Sequence, residues 1–431
     1  MSVVKKHITI FTIFVLFFSF DALSCSMYKI TMFGKTMVGT NFDAYYQTSR
    51  IWFENRNGVG NYGAVFSGGR FDGNNGFAPQ SGMNEYGLAF SRLAAPDSEK
   101  KISVALNKKV ITNPTNYLKD ILHKCKNIDE VQDYINLYDQ TYFNGDVFIY
   151  IDKSGKYLVV EPDTMIVGYE TKYVLSNFCP TVTKEVDALK MAKYRNGIEF
   201  LKNGLDTTIE FCTALSDTMH VCRKKIGDGT LLTSIFDLND GIIYYYFYHD
   251  YKHRIKFNLS EELAKGDHIL EVPKLFPPNK EYEKLINYKI PPNNKALQVF
   301  LFFCSGVFLL SSLIFVTSFF RKRKSARYSY IKMILFFLGI ILSYYMLVLI
   351  KKENIFYFPA PYQDYKFSML NVAAYIPFLI LFLIIPLLIV NRKVYKEKVW
   401  SIIAILFYTL NNFLYLILII LFFYWGFYDI L

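Results

Sequence analysis

No Asp, Glu, Lys, Arg or His interrupts four long apolar stretches of this 431-residue chain: 297–320, 333–350, 367–390 and 399–428. Each is long enough to cross a bilayer as a helix. The missing charges exclude an ion site, proton relay or haem ligand within them, so they read as an anchor rather than a transport machine. Positive charge is also missing where a nucleic-acid binder needs it. The net +11 divides into +1 over residues 1–24, 30 basic against 30 acidic residues over 25–280, and +10 over 281–431. That neutral middle excludes nucleic acid as a partner. Cysteine is scarce, with six in all. Cys304 lies in the first apolar stretch and Cys25 near the start, which leaves Cys125, Cys179, Cys212 and Cys222 for two disulfides in any of three pairings, or for none. The glycine pairs Gly58/Gly60, Gly68/Gly69 and Gly227/Gly229 lack a P-loop lysine or a dinucleotide fingerprint. His249 and His253 stand four apart among Tyr and Phe without an acidic or cysteine ligand set, so no metal and no cofactor is implied.

What is present divides the chain. Lys5, Lys6 and His7 precede an apolar run from Ile8 to Phe20, and Ala22-Leu23-Ser24 places small residues at −3 and −1 before Cys25. This pattern predicts a secretory signal peptide over 1–24, because 13 apolar residues are too few for a spanning helix. Between the apolar stretches, 321–327 carries five basic residues, 392–398 carries four, and 351–366 carries three basic against two acidic. By the positive-inside rule the first and third loops are cytoplasmic, which puts the segment after Ser24 on the exoplasmic or periplasmic side. That segment, 25–280, is large enough for one domain. Short β-branched and aromatic runs at 147–151, 157–160, 173–175 and 242–248 predict strands, and Asn239-Asp240-Gly241 predicts a hairpin. Helical spacing over 117–125, 128–137 and 188–201 makes the domain mixed α and β. Prolines 273, 277, 278, 291 and 292 predict an extended, semi-rigid spacer, with 281–296 as the linker proper.

A cysteine made N-terminal by cleavage carries its own base, since the α-amine, with a reference pKa near 8, sits beside the thiol. One residue then supplies the nucleophile and the proton acceptor of covalent acyl transfer. Two other readings stand beside this one: Cys25 as a structural thiol, and Cys25 as the lipidated cysteine of a lipoprotein. Ala22 and Leu23 occupy positions where a lipoprotein signal usually has Leu and then a small residue.

The residues that follow resemble the linear amide C–N hydrolases, the choloylglycine-hydrolase and penicillin-V-acylase-like family of N-terminal nucleophile hydrolases. The resemblance spans most of 25–277. It rests on Cys25-Ser26 followed by Gly39-Thr40-Asn41-Phe42-Asp43 (G-x-N-x-D), on Arg50-Ile51-Trp52-Phe53, on Gly82-Met83-Asn84-Glu85-Tyr86-Gly87-Leu88 (G-M-N-E-x-G-L), on Tyr173-Val174-Leu175-Ser176-Asn177, and on the hairpin from Leu232 to His249. It implies an αββα sandwich, an α+β fold, followed by four transmembrane helices. It also implies that Cys25 attacks an amide carbonyl, that Asp43 holds the α-amine, and that Asn177 donates to the oxyanion. Arg195 matches a late active-site arginine, and Asn84 and Trp52 fall on the substrate side. A small-molecule N-acyl amide is the implied substrate and the membrane the implied partner.

Two departures from the pattern bear on the chemistry. Thr40 stands where many relatives have Arg beside the Asn of G-x-N-x-D. Beyond G-M-N-E-x-G-L, where the bile-salt branch has an Asn, this chain reads Arg92-Leu93-Ala94-Ala95-Pro96. The second change removes a side-chain oxyanion donor and with it any inference of bile-salt specificity. A catalytically inactive binding or sensing module of the same fold, and an acyltransferase using an amine acceptor, remain alternatives to the hydrolase.

Overall fold

A computed structural model describes residues 25–44, 48–55, 61–95, 108–222, 229–321, 327–352, 354–357 and 373–428. The expected signal segment, most of the basic loop at 321–327 and the start of the third apolar stretch lie outside the described residues. The chain divides into two compact units, Met1–Asn287 and Tyr288–Leu431.

The first unit is built on two antiparallel sheets. Its strands are β1 (Ser26–Met32), β2 (Lys35–Ala44), β3 (Arg50–Glu54), β4 (Ala64–Gly68), β5 (Ser81–Asn84), β6 (Ala89–Ala94), β7 (Lys109–Val110), β8 (Tyr138–Asp139), β9 (Asp146–Ile151), β10 (Tyr157–Val160), β11 (Met165–Gly168), β12 (Lys172–Leu175), β13 (Gly229–Asp237), β14 (Ile242–Phe247), β15 (Ile255–Asn258) and β16 (His268–Glu271). One sheet runs β12-β1-β2-β13-β14-β15 and the other β11-β10-β9-β6-β5-β4-β3-β16, while β7 and β8 form a short parallel pair.

Strand alternation sorts the side chains into four layers. On the first sheet Tyr28, Ile30, Met37, Val174 and Ile235 pack with Leu201, Cys212, Leu215 and Met219. These last come from helices α3 (Ala192–Lys202) and α4 (Ile209–Thr218). On the second sheet Trp52, Phe66, Phe90, Phe148, Tyr150 and Leu158 pack with Leu118, Ile121, Leu122 and Val131, from α1 (Pro114–Lys124) and α2 (Ile128–Asn136). The opposite faces meet each other, as in the edge contact of Phe53 with Phe257 at 5.7 Å between ring centres. The order is therefore helices, sheet, sheet, helices. Local chemistry supports each helix start: Asn113 and Asn127 accept hydrogen bonds from the backbone N–H groups of Asn116 (2.9 Å) and Glu130 (3.0 Å), and Pro114 occupies the first turn.

The predicted strands and the hairpin at Asn239-Asp240-Gly241 are present, with Gly241 at φ 64. Two expectations change. Residues 188–201 do not form one helix, because the chain breaks between a short helix at Glu185–Ala188 and α3. The stretch read as an extended spacer contains the helix Lys280–Asn287, whose Leu285 is buried; its apolar residues find a packing surface between the prolines. All six cysteines are free thiols.

Among its described residues the second unit has four helices long and apolar enough to cross a membrane: Lys295–Arg321, Ser329–Lys351, Ile376–Glu397 and Ile402–Tyr424. Short polar contacts join them, with Ser305 Oγ 2.9 Å from Ser343 Oγ and Ser311 Oγ donating to Asn411 Oδ1 at 2.9 Å. Helices one, two and four lie near the expected limits. The third continues through Arg392 and Lys393 to Glu397, past the apolar stretch that predicted it.

Candidate active site

Cys25 precedes β1, a central strand of the first sheet. Across β1 and β12, Met27 pairs with Leu175, the last residue of β12, and Ser176 and Asn177 follow where the chain leaves the strand beside Cys25. Ser176 Oγ donates to the carbonyl of Cys25 at 3.2 Å. On the other side Ser26 pairs with Asn41, which brings Phe42 opposite Cys25 and Asp43 one residue beyond. Alternation turns Cys25, Met27, Thr40 and Phe42 toward the second sheet, and Asn41 and Asp43 toward the helices. Asn41 is consumed in structure there. Its Nδ2 donates to the Ser216 carbonyl of α4 at 2.9 Å, and its Oδ1 accepts from Thr233 Oγ1 at 2.8 Å.

Asp43 is buried between two partners. Thr230 Oγ1, directly across on β13, donates to its Oδ1 at 2.6 Å. Lys193 Nζ of α3 stands 3.5 Å from its Oδ2. Burial pushes the Asp43 carboxyl up to about 6, against the opposing pull of the Lys193 charge and the Thr230 hydroxyl. Cys25 is 6% exposed. Burial, and then the Asp43 carboxylate, push its thiol up to about 12, while a hydrogen bond from the Asp43 backbone and the charges of Lys193 and Arg92 pull the other way. While residue 24 remains bonded to it, the nitrogen of Cys25 is an uncharged amide. The buried pair in that state is a neutral thiol beside a carboxyl that resists ionisation.

Two side-chain amides border Cys25. Asn177 Nδ2 donates to the carbonyl of Ala94 at 2.5 Å. Gln80 Nε2 donates to the carbonyl of Arg92 and lies 3.5 Å from Cys25 Sγ. Beyond them Arg92 makes a two-pronged ion pair with Asp146, both contacts at 2.8 Å.

The residues expected at the site divide accordingly. Cys25, Asp43 and Asn177 come together. Arg195 does not: it is exposed on α3 and donates to the Leu189 carbonyl at 3.2 Å. Lys193, two residues earlier and turned toward the sheet, takes the place beside Asp43. Asn84 is fully buried, giving Nδ2 to the carbonyls of Leu122 (2.8 Å) and Cys125 (2.7 Å) and accepting at Oδ1 from the N–H groups of Tyr86 and Leu88, each at 3.0 Å. Its capacity is filled by the turn it holds. Trp52 is buried against Phe66 and Phe77 on the helix-facing side of the second sheet, away from the face that meets Cys25. Neither is placed to touch a substrate on Cys25. Lys193 and Gln80 are the residues that motif reading leaves out. The spacing Lys193, Gly197, Leu201, a buried stripe at helical period, could have indicated the first; no local signal marks the second.

Among the described residues no group of three His, Cys, Asp or Glu side chains is arranged to hold a metal ion. His249 is half-buried and stacked on His220, and His253 Nδ1 lies 2.8 Å from Asp250 Oδ2. The arrangement at Cys25 brings together a buried thiol, a buried carboxyl near enough to raise it, and side-chain amide donors.

No family description and no curated protein sequence matches the chain. Solved structures that align with it include a mutant of conjugated bile acid hydrolase from Clostridium perfringens, at 17% identity over 60% of this chain and 98% of that one, with a TM-score of 0.42. A second variant of the same Clostridium perfringens hydrolase aligns at 18% identity over 59% and 97%, TM-score 0.41. Penicillin V acylase from Agrobacterium tumefaciens aligns at 12% identity over 57% and 90%, TM-score 0.40.

Proposed function

We propose that this protein is a membrane-anchored, exported amidase that hydrolyses a linear, non-peptide C–N bond, such as that of an N-acyl amide, through a thioester on Cys25. The observation that carries the reading is that buried Asp43, two residues past the Ser26 partner Asn41, and the Ser176-Asn177 segment, whose Ser176 Oγ donates to the Cys25 carbonyl, come together around one residue, Cys25. Removal of residues 1–24 converts the amide nitrogen of Cys25 into an amine. That amine takes the thiol proton, Asp43 ionises against the new ammonium and holds it, and the proton later leaves on the departing amine. Burial pushes the thiol up, and in the uncleaved chain the amide nitrogen of Cys25 cannot take its proton, so cleavage is the activating step. The basic first and third loops set the catalytic unit on the exoplasmic or periplasmic side.

The burial of Cys25 disfavours the lipoprotein reading, because a diacylglyceryl group on Sγ needs a path out of the sandwich. An inactive binding module is the second reading, favoured by one observation: both amides at the site already donate to β6 carbonyls. Turnover separates the two. The purified mature protein is assayed on N-octanoyl para-nitroanilide and on a phenylacetyl counterpart, beside Cys25→Ser. Nitroaniline release that falls by at least about 1000-fold in Cys25→Ser supports the amidase; release unchanged by the substitution contradicts it.

A further inference from the structure

Gln80 lies outside every signature that points to this site, yet it is the side chain whose amide reaches the thiol. Its backbone is held on both sides, since Gln80 N–H donates to the Ser67 carbonyl and Arg92 N–H donates to the Gln80 carbonyl, each at 2.8 Å. Gly68 makes that fit possible: a Cβ there would stand 2.4 Å from the Ala78 carbonyl oxygen, so any larger residue would push the 78–80 segment off β4. From this fixed base Nε2 donates to the Arg92 carbonyl and stands 3.5 Å from Cys25 Sγ. The carbonyl settles which end of the amide points inward, because only the NH2 group can donate to it.

Asn177 does the same thing two residues along. Its Nδ2 donates to the Ala94 carbonyl, and carbonyls two apart on a strand point the same way. Amides from two different sheets are thus pinned along one edge of β6 beside Cys25. An amide nitrogen carries two hydrogens. In each case one is spent on the strand, and for Gln80 the other is directed at the sulfur.

We propose that Gln80 is the second oxyanion donor of the Cys25 site, the partner of Asn177 and the replacement for the side-chain donor missing from the stretch 92–96. This rests on the amidase reading. In the acylation step the Cys25 sulfur bonds to the amide carbon, the carbonyl π pair moves onto oxygen, and the thiol proton passes to the α-amine. That oxygen sits on the atom bonded to Sγ, so a donor that reaches Sγ in the free protein reaches the oxygen in the intermediate. The Nε2–H of Gln80 and the Nδ2–H of Asn177 hold it from two sides. As the oxygen pair returns, the C–N bond breaks and the amine departs with the proton. Water repeats the cycle on the thioester, releasing the acid and restoring the thiol. The bland reading is that Gln80 only covers an edge carbonyl of β6.

An aldehyde separates these readings, because a thiol adds to it reversibly and leaves an oxygen where the oxyanion forms. The mature full-length protein is titrated with octanal, and in parallel with phenylacetaldehyde, while alkylation of Cys25 by iodoacetamide is followed by mass spectrometry. Wild type, Gln80→Met, which keeps the length and loses the donor, and Gln80→Ala are compared, with circular dichroism and the thermal midpoint reporting an intact fold and each protein's protection scaled to its own aldehyde-free alkylation rate. The expected result is protection in wild type and about a 100-fold higher aldehyde requirement in both folded variants. Protection in the variants within twofold of wild type overturns the role of Gln80 and leaves the amidase reading standing. Loss of folding in both variants gives Gln80 a structural role and overturns the proposal. An alkylatable Cys25 that neither aldehyde protects in wild type overturns the amidase reading, and the role of Gln80 with it.

Discussion

Asp43 is buried between a hydroxyl and an ammonium, and the balance among the three sets how the site responds to pH. Its carboxyl moves from 3.8 to about 6. A carboxyl raised by folding favours the folded state while protonated, so its contribution is full below 3.8 and is lost as pH rises through about 6. In the uncleaved chain, the stability of wild type relative to Asp43→Asn is therefore expected to fall by roughly 3 kcal/mol across that window, measured by denaturation at a series of pH values. Lys193 opposes this shift. Lys193→Met is expected to move the acid limb of kcat/KM to higher pH and to lower turnover at least about 10-fold, whereas Arg195→Ala leaves it within about twofold. Equal effects of the two would contradict the assignment of Lys193. That Cys25, Asp43 and Asn177 lie together is legible in the sequence because their motifs are short-range. Lys193 and Arg195 differ by helical phase alone, which a motif does not encode.

At the scale of elements, alternation decides what touches what. The strands of both sheets can be read from their period-two pattern, and the faces follow from pairing: Trp52 and Asn84 both turn to the helices that cover the second sheet. Reading them from the motif puts them on the substrate side, because a signature gives order along the chain and not the face of a strand. Gln80 is hidden for the converse reason, being brought to Cys25 only when the second sheet stacks on the first. The turn after β5 is a folding feature in this account. Gly87 has φ 75, and a Cβ there would stand 2.1 Å from the Leu238 carbonyl oxygen. Asn84→Ala, which strips four hydrogen bonds from the same turn, is expected to cost about 2–4 kcal/mol in denaturation, with unchanged turnover per folded molecule. A selective fall in kcat without loss of stability would return Asn84 to the active site.

For the whole molecule, the two compact units divide after Asn287, and the four apolar helices carry no residue that the proposed chemistry uses. A chain ending at Asn287 is expected to hydrolyse a soluble N-acyl anilide within about threefold of the full protein, and to lose rate on the same amide presented in vesicles, where tethering raises the local concentration. Equal rates on both presentations would remove the reason for a tether. The four apolar helices are the most legible part of the chain, since length and hydropathy suffice; the third differs in its limits, running from Ile376 and continuing through basic residues to Glu397. The central claim concerns one atom pair, the nitrogen and sulfur of Cys25. Intact mass and N-terminal analysis of the purified membrane protein, followed by stoichiometric alkylation, tests it most directly. The account predicts a chain beginning at Cys25 with a free α-amine and one rapidly alkylated thiol that Asp43→Asn slows. A retained segment before Cys25, or a diacylglyceryl mass on it, would contradict it.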